Sequence, residues 1–326
     1  MDLSVIIVNY RGWGKLRECL DALSGYIGKK YTSEVIVVDN DSADGMIDSF
    51  SEEYRSFRFI RNEKNGGFAN GCNIGARESS GNYLLFLNPD TIAGENAVDL
   101  LLERAKGTSG DFIISCRQKD ENGGESIAWG SFLAPGKLTG PGRALSRFLK
   151  AKLFSSKSIV KENPFHPDWV SGSVIMIRRD FFEKLGGFDE DFWMYFEDMD
   201  LCFRAREMGG DILYFTDITI EHKHGGSSRI NIYTTALTKS EVLISKHLYV
   251  SKHFSLLSRI FSQAFLVAGN LLSGLISAVA GIVLFFIPRV FVRVHIFKEC
   301  LFSKIFFKRL VDQTSHSHKT FYILVS

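Results

Sequence analysis

Two short runs of the chain, "SVIIV" at residues 4–8 and "EVIVV" at 34–38, are apolar at every position after the first. A strand with one wet face alternates apolar and polar side chains, whereas a strand without alternation is covered on both faces. Further β-rich runs lie at 57–60, 83–87 and 112–115, after a first strand over 3–8 and a second over 34–38. Helical patterns near 15–23, 44–54, 68–79 and 95–106 separate them. Strands that alternate with helices are joined by βαβ crossovers, so this half predicts an α/β domain with a mainly parallel central sheet. In such a sheet, ligands bind outside the carboxyl ends of the strands.

A chain of 326 residues holds one large domain or two smaller ones and can bury a substantial core. Its net charge of +2 gives no global affinity for nucleic acid. The five cysteines, Cys19, Cys72, Cys116, Cys202 and Cys300, show no paired spacing and no zinc pattern. Such a set argues for a reducing compartment and against a disulfide framework. The opening "MDLSVIIVNY" lacks the basic start and long apolar run of a signal peptide and reads as a strand.

Residues 117–168 are rich in Gly, Ser, Lys and Pro and read as an excursion over the carboxyl edge of the sheet. "WVSGSVIMIRR" then returns as a strand, followed by helices near 180–185 and from about 195 to 208. The character of the chain changes near residue 230, which divides it into 1–228 and a helical 229–326. Residues 261–287 contain no charge and exceed the ~20 residues that cross a bilayer. Asn270, Ser273, Gly274, Ser277 and Gly281 form a small and polar stripe on that segment, suited to a partner helix or to the wet side of an interfacial one. Residues 289–309 mix bulky apolar side chains with Arg and Lys, as a basic amphipathic segment on an anionic membrane face does.

The residues suited to chemistry fall at strand ends. After the first strand, "NYRGWGKL" has only Gly12 and Gly14 of a dinucleotide loop, too little for a dehydrogenase. After the second, "VVDNDSADG" puts Asp39 at the strand's end, where a carboxylate accepts from a base N–H or a ribose hydroxyl. Asn40, Ser42 and Asp44 are explained as turn and cap residues. In "NEKNGGFANGCNIGARESSG", Gly66 and Gly67 feed a helix that starts near Phe68, a phosphate-binding arrangement or simply a tight turn. In "LLFLNPDT", Asp90 stands just past a buried strand, where it can bind a divalent cation or cap the next helix. "YFEDMDLCFRA" brings Glu197, Asp198 and Asp200 among aromatic side chains. Asp200 and Arg204 are i, i+4 neighbours, and Asp198 at the helix start suits a general base. Helix capping accounts equally well for any single one of these acids.

In order and spacing, "VVDNDSADG", "NGGFANGCNIG", "LNPD", "WVSGS" and "GGFDEDFWMYFEDMDLCFRAREMGG" resemble glycosyltransferase family 2, in its rhamnosyltransferase-like branch. The resemblance spans roughly residues 2–228. It implies a GT-A fold and inverting transfer from a nucleoside diphosphate sugar, with a dTDP- or UDP-sugar as donor. By the same resemblance, Asn9 and Tyr10 pack around the nucleoside, Asp39 with Asn40 meets the base, and Asn65, Gly66, Phe68 and Asn73 line the donor pocket. Asp90 matches the last Asp of the family's metal-binding DxD motif, which reads Asn88-Pro89-Asp90 here and lacks its first carboxylate. In "EHKHGGSS", His222, Gly225 and Ser227 fit an H-x-x-G-x-S pattern that makes His222 a ligand for Mg²⁺ or Mn²⁺, with His224 as the competing residue. Asp198 matches the family's catalytic base, and Trp169, Gly172 and Glu197 are the expected acceptor contacts. The implied acceptor is a lipid-linked glycan of surface polysaccharide, at the cytoplasmic face of a bacterial inner membrane. The resemblance also leaves room for a homo-oligomer. Two other functions compete with this one. One is a catalytically silent sugar-nucleotide or glycan-binding subunit. The other is a nucleotidyltransferase, which the lack of an Arg-containing activation loop after the first strand disfavours.

Overall fold

The structure is a computed structural model and describes residues 1–25, 27–94, 96–135, 138, 162–223 and 232–283. Residues 136, 137 and 139–161 of the excursion, His224 with Gly225 and Ser227, and the basic segment 289–309 therefore lie outside the described residues.

The expected alternation is present. Strands β1 (Leu3–Asn9), β2 (Ser33–Asp39), β3 (Arg58–Arg61) and β4 (Tyr83–Leu87) are separated by helices α1 (Trp13–Ser24), α2 (Met46–Glu53) and α3 (Gly67–Arg77). After β4 come β5 (Thr91–Ala93), α4 (Ala97–Gly107), β6 (Phe112–Lys119), β7 (Glu125–Ser126), β8 (Trp129–Gly130), β9 (Trp169–Val170) and β10 (Val174–Arg178). The chain continues through α5 (Arg179–Lys184), α6 (Glu197–Glu207), β11 (Asp211–His222), α7 (Ile232–His253) and α8 (Leu256–Val283).

Among the described residues, one nine-stranded sheet runs β3-β2-β1-β4-β10-β6-β11-β5, with β7 beside β6. The β3-β2-β1-β4 half is parallel, and β11 runs parallel to β6. Strand β10 is antiparallel to both β4 and β6, so the sheet as a whole is mixed. Its inversion keeps β6 and β11 parallel to β4, and the carboxyl ends of β1, β2, β4 and β11 share one edge.

"WVSGSVIMIRR" is two strands instead of one. β9 pairs with β8 in a small separate sheet, β10 joins the main one, and Ser171, Gly172 and Ser173 turn between them. The helix expected from about 195 starts at Glu197, because Tyr195 and Phe196 are left-handed, with φ of 70° and 68°. A right-handed helix cannot include such residues.

Both faces of the sheet are covered, as the unbroken apolar runs require. One core packs α1, α2 and α4 against one face of the sheet, with Trp13, Leu16, Leu20 and Leu23 buried at helical spacing along α1. The opposite core packs α3, α5 and α6. Helix α3 sits close to β1 because Gly71 and Gly75 face it. A Cβ at those positions would lie 2.6 Å from Val8 and 2.4 Å from Ile6. That approach brings the loop before α3 over the end of β1. A third cluster joins α7 and α8, through Leu248, Tyr249, Val250, Phe254 and Leu266, to Phe192, Phe196 and Met199.

Candidate active site

A cavity of about 390 Å³ opens at the shared carboxyl edge. Tyr10 and Gly12 follow β1, Asn40 follows β2, and Asn65, Gly67 and Phe68 lead into α3. Asn88, Pro89 and Asp90 follow β4, while Ser171, Gly172 and Ser173 come from the turn before β10. Glu197 and Asp198 open α6. Of the residues expected from sequence, the cavity thus gathers Tyr10, Asn40, Asn65, Phe68, Asp90, Gly172, Glu197 and Asp198.

The others lie behind or beside it. Asn9 is fully buried, and in the turn before α1 its Oδ1 accepts the Gly12 N–H at 3.2 Å. The Asp39 carboxylate turns to the Ser42 hydroxyl and N–H. Burial raises its pKa against the pull of those bonds. Gly66 packs on Asn70. Asn73 accepts the Phe188 N–H at 2.9 Å and donates to the Phe188 carbonyl and to Glu190 at 2.8 and 2.9 Å. Its amide braces the segment that leads to α6 and does not reach the cavity. Trp169 packs into the core beside α6 and donates its Nε1–H to the Ser131 carbonyl.

The loop that leads into α3 is held by an asparagine network. Asn40 donates to Asn65 and to the Gly67 carbonyl, each at 3.0 Å, and accepts from Asn62 at 2.8 Å. Gly67 has a φ of 86°, and a Cβ there would fall 2.0 Å from the Trp193 carbonyl oxygen. Only glycine fits this approach. It lets Phe68 donate its N–H to Trp193 at 2.9 Å, so the α3 loop and the segment before α6 meet over the cavity.

Two neighbouring acids have different surroundings. Asp198 accepts the Gly172 N–H at 2.9 Å and the Met199 N–H at 2.7 Å, one on each oxygen. Burial raises its pKa, and those N–H groups partly oppose the rise. Glu197 is buried, and its Oε2 has no hydrogen-bond partner among the described residues. Burial first, and then the charge of Asp198, push its pKa well above the ordinary carboxyl range. The two N–H donors favour the charged form of Asp198, and Glu197 Oε2 has no such donor among the described residues.

The third acid is structural. Asp200 is 1% exposed, pairs with Arg204 at 2.7 Å and accepts from His253 of α7 at 2.7 Å. Arg204 also donates to the Leu185 carbonyl at 2.7 Å.

The β5–β11 pairing sets Asp90, in the cavity wall, beside His222, which is buried and does not line the cavity. His222 Nε2 lies 3.1 Å from Asp90 Oδ1, and Nδ1 lies 2.9 Å from Gln118 Oε1. Burial alone would raise the Asp90 carboxyl. His222, with Lys15 adding a smaller pull, outweighs it and holds the pKa below the usual value. With the Gln118 carbonyl toward the ring, Nδ1 carries the proton and Nε2 faces the carboxylate. An imidazolium satisfies that contact, and so does a neutral ring sharing a cation with Asp90. Two ligands on an octahedral ion at ~2.1 Å stand about 3 Å apart, so the pair fits such an ion. A proton-accepting group behind a histidine ligand is the usual second support of a metal site. No cluster of three His, Cys, Asp or Glu that would cage a metal occurs among the described residues. The remaining ligands would thus be bound oxygens and water.

The cavity also holds residues that the sequence does not single out: Lys15, then Trp193, Met194 and Tyr195 within the motif that precedes the acids, and Thr238 of α7, in the helical region that follows residue 228.

This architecture occurs in solved glycosyltransferases of the GT-A fold. The crystal structure of GalNAc-T7 with UDP, GalNAc and Mn²⁺ superposes with a TM-score of 0.53 at 18% identity, over 77% of this chain and 50% of that one. The structure of S. aureus TarS 1-349 in complex with UDP-GlcNAc gives 0.52 at 16% identity, over 82% and 72%. At such identities the likeness is one of fold.

Sequence carries the assignment further. The profile described as "Glycosyl transferase family 2" matches residues 4–186, and the chain belongs to that family. A second profile, "N-terminal domain of galactosyltransferase", matches residues 159–224. The low-salt glycan biosynthesis hexosyltransferase Agl10 of Haloferax volcanii is 29% identical over 63% of this chain, which spans 62% of that protein's length. The N-acetylglucosaminyl-diphospho-decaprenol L-rhamnosyltransferase of Mycobacterium tuberculosis is 25% identical, over 69% of this chain and 77% of its own. The rhamnosyltransferase WbbL of Escherichia coli K12 is 26% identical, over 57% and 70%. The chain is thus a rhamnosyltransferase-like member of the family.

Proposed function

We propose that this protein transfers a sugar, a deoxyhexose such as rhamnose, from a dTDP- or UDP-sugar to a lipid-linked glycan, with inversion at the anomeric carbon. The observation that carries this reading is one cavity whose wall holds Asp90, backed by the buried His222, together with the acid pair Glu197 and Asp198, of which only Asp198 accepts an N–H on each oxygen.

The donor's nucleoside lies along Tyr10, Asn40 and Asn65, with Asn9, Asp39 and Gly66 supporting that wall from behind. Asp90 and His222 would hold Mg²⁺ or Mn²⁺, which would offset the charge that grows on the departing diphosphate. The acceptor hydroxyl enters beside Gly172 and attacks the anomeric carbon from the face opposite the leaving group. Asp198 takes its proton. Glu197, protonated, offers an O–H to an acceptor oxygen. Trp169 acts on the acceptor side only by bracing the wall.

The acceptor's lipid fits the outer surface of α8. Leu257, Phe261, Phe265 and Leu272 are among its exposed apolar side chains, and the stretch Leu256–Ser273 is long and apolar enough to span a bilayer. The polar face turns inward. Gln263 donates to the His247 carbonyl and to Ser251, each at 2.8 Å, and Asn270 lies 3.3 Å from the His247 ring. A helix flanked by α7 through residue 270, with apolar groups outward, suits an in-plane position at the membrane surface. The described cysteines are buried and free, in keeping with the cytoplasmic face of a bacterial inner membrane.

The test is transfer itself. Detergent-solubilised full-length protein is given dTDP- and UDP-sugars with a polyprenyl-diphosphate-linked saccharide. The expected product carries the new sugar with the anomeric configuration opposite to the donor's. Retained configuration would refute the single-displacement mechanism, and no transfer from any donor would refute the function.

A further inference from the structure

Gln118 lies behind the cavity wall and is 1% exposed. It stands one residue before the end of β6, which runs between β10 and β11 in the sheet. Because β10 is antiparallel to β6 and β11 is parallel, the turn before β10 and the end of β11 stand at the same edge. A side chain near the end of β6 can therefore reach both neighbours, and Gln118 does. Its Oε1 accepts the Ser173 hydroxyl at 2.9 Å on the β10 side and meets His222 Nδ1 at 2.9 Å on the β11 side. The Ser173 hydroxyl lies 3.0 Å from that of Ser171. Between these two serines is Gly172, whose N–H donates to Asp198 at 2.9 Å. On the other side, His222 Nε2 lies 3.1 Å from Asp90 Oδ1. One carbonyl oxygen thus links the turn that holds Asp198 to the histidine that backs Asp90.

The other half of the same amide is left over. Gln118 Nε2 is buried and has no hydrogen-bond partner among the described residues. A buried donor without a partner is costly. Packing alone does not explain such a residue, since an apolar side chain of the same length would leave nothing unpaired. Its carbonyl, which holds two groups from two strands, does explain it.

We propose that Gln118 is a positioning residue that sets two parts of the site at once. It holds the His222 ring against Asp90, and so the cation position, and it holds the Ser171–Ser173 turn, and so Asp198. This rests on the cation and base assignments under Proposed function, and it adds a physical link between them.

The experiment compares full-length wild type with Gln118→Met, Gln118→Asn and Ser173→Ala. Methionine keeps the length and removes the acceptor, whereas asparagine keeps the amide and draws it back by one carbon. Thermal unfolding midpoints show which variants are folded, and the asparagine variant decides the outcome if the methionine variant is not. Two quantities are read. The first is the Mn²⁺ concentration that gives half-maximal binding of UDP or dTDP, with binding in EDTA as the baseline. The second is the rate of sugar transfer at saturating Mn²⁺ and donor. Both Gln118 variants are expected to need roughly ten-fold more Mn²⁺ or more, with binding in EDTA unchanged. Their transfer at saturating Mn²⁺ is expected to fall by about ten-fold or more as well, because Asp198 is displaced. Ser173→Ala is expected to slow transfer while its Mn²⁺ requirement stays that of wild type. A wild-type Mn²⁺ requirement in a folded Gln118 variant would overturn the inference, and so would wild-type transfer at saturating Mn²⁺. Both results leave the cation and base assignments standing. Wild type that shows no Mn²⁺-dependent nucleotide binding, or no transfer, would overturn those assignments and the inference with them.

Discussion

At the scale of residues, the acid pair at the start of α6 shows what backbone contacts do to like groups. Glu197 and Asp198 are adjacent, yet only Asp198 receives N–H donors on both oxygens. One of these comes from Gly172, on the turn before β10, which is why the sequence marks a cluster of acids and cannot divide their roles. The consequence for stability has a definite sign. A carboxyl whose pKa rises on folding binds its proton more tightly in the native state, so stability falls as pH climbs from the ordinary carboxyl value toward the raised one. Glu197→Gln removes that penalty with little change of shape. Its melting temperature is predicted to exceed wild type at neutral pH, and the difference to shrink as the pH falls below the ordinary carboxyl range. Melting curves at several pH values check this, and a lower melting temperature at neutral pH would contradict the assignment of a buried, strained acid. Lys15 shows the opposite limit of legibility, since a lone lysine early in a helix has no signature until the fold sets it beside Asp90.

At the scale of elements, the apolar strands and their alternating helices were readable because an unbroken run of Val and Ile has few other solutions. Strand β5 was not, because three residues carry too little pattern. Strand β11 was not read from the sequence either, although Ile212–Phe215 form an apolar run and Ile218 and Ile220 alternate with Asp217, Thr219 and Glu221 as in a strand. Helix α7 was foreseen only as part of a helical tail. In the structure it is a strap across the segment that bears the acids. Lys252 reaches Asp191 at 2.6 Å, Ser245 reaches the Met194 carbonyl at 2.9 Å, and His253 reaches Asp200 at 2.7 Å. Tyr249 packs on Phe196 with ring centroids 5.8 Å apart. Two consecutive left-handed residues, Tyr195 and Phe196, cost about 1–3 kcal/mol each unless their surroundings hold them, and α7 is that support. His253→Ala leaves a buried carboxylate with one partner fewer. It is predicted to destabilise the fold by about 2 kcal/mol and to slow transfer while leaving nucleotide binding nearly unchanged. Chemical denaturation and nucleotide titration measure the two effects. An unchanged transfer rate would show that the strap does not position α6.

At the scale of the whole molecule, the C-terminal helices continue the catalytic body instead of hanging from it. Thr238 lines the cavity, and the third core cluster joins α7 and α8 to the segment before α6. Composition made the apolar segment legible, but not which of its faces looks outward, since that depends on Gln263 and Asn270 finding His247. The triple change Leu257→Glu, Phe261→Glu and Phe265→Glu alters side chains that are 70%, 73% and 55% exposed and touches none of the buried contacts. Fractionation is predicted to move this variant from the membrane to the soluble phase with its melting temperature preserved. Retention at the membrane would place the anchor elsewhere in the chain.

The central claim is that Asp198 removes the proton of the attacking hydroxyl in a sugar transfer. The most direct test compares wild type with Asp198→Asn for transfer and for nucleotide binding on the same preparation. Asparagine keeps the shape and can still accept the Gly172 N–H, but it cannot take a proton. Transfer is predicted to fall by about 10²–10⁴-fold, with the dissociation constant of the nucleoside diphosphate essentially unchanged. Transfer near the wild-type rate would contradict the claim and send the search for a base to Glu197.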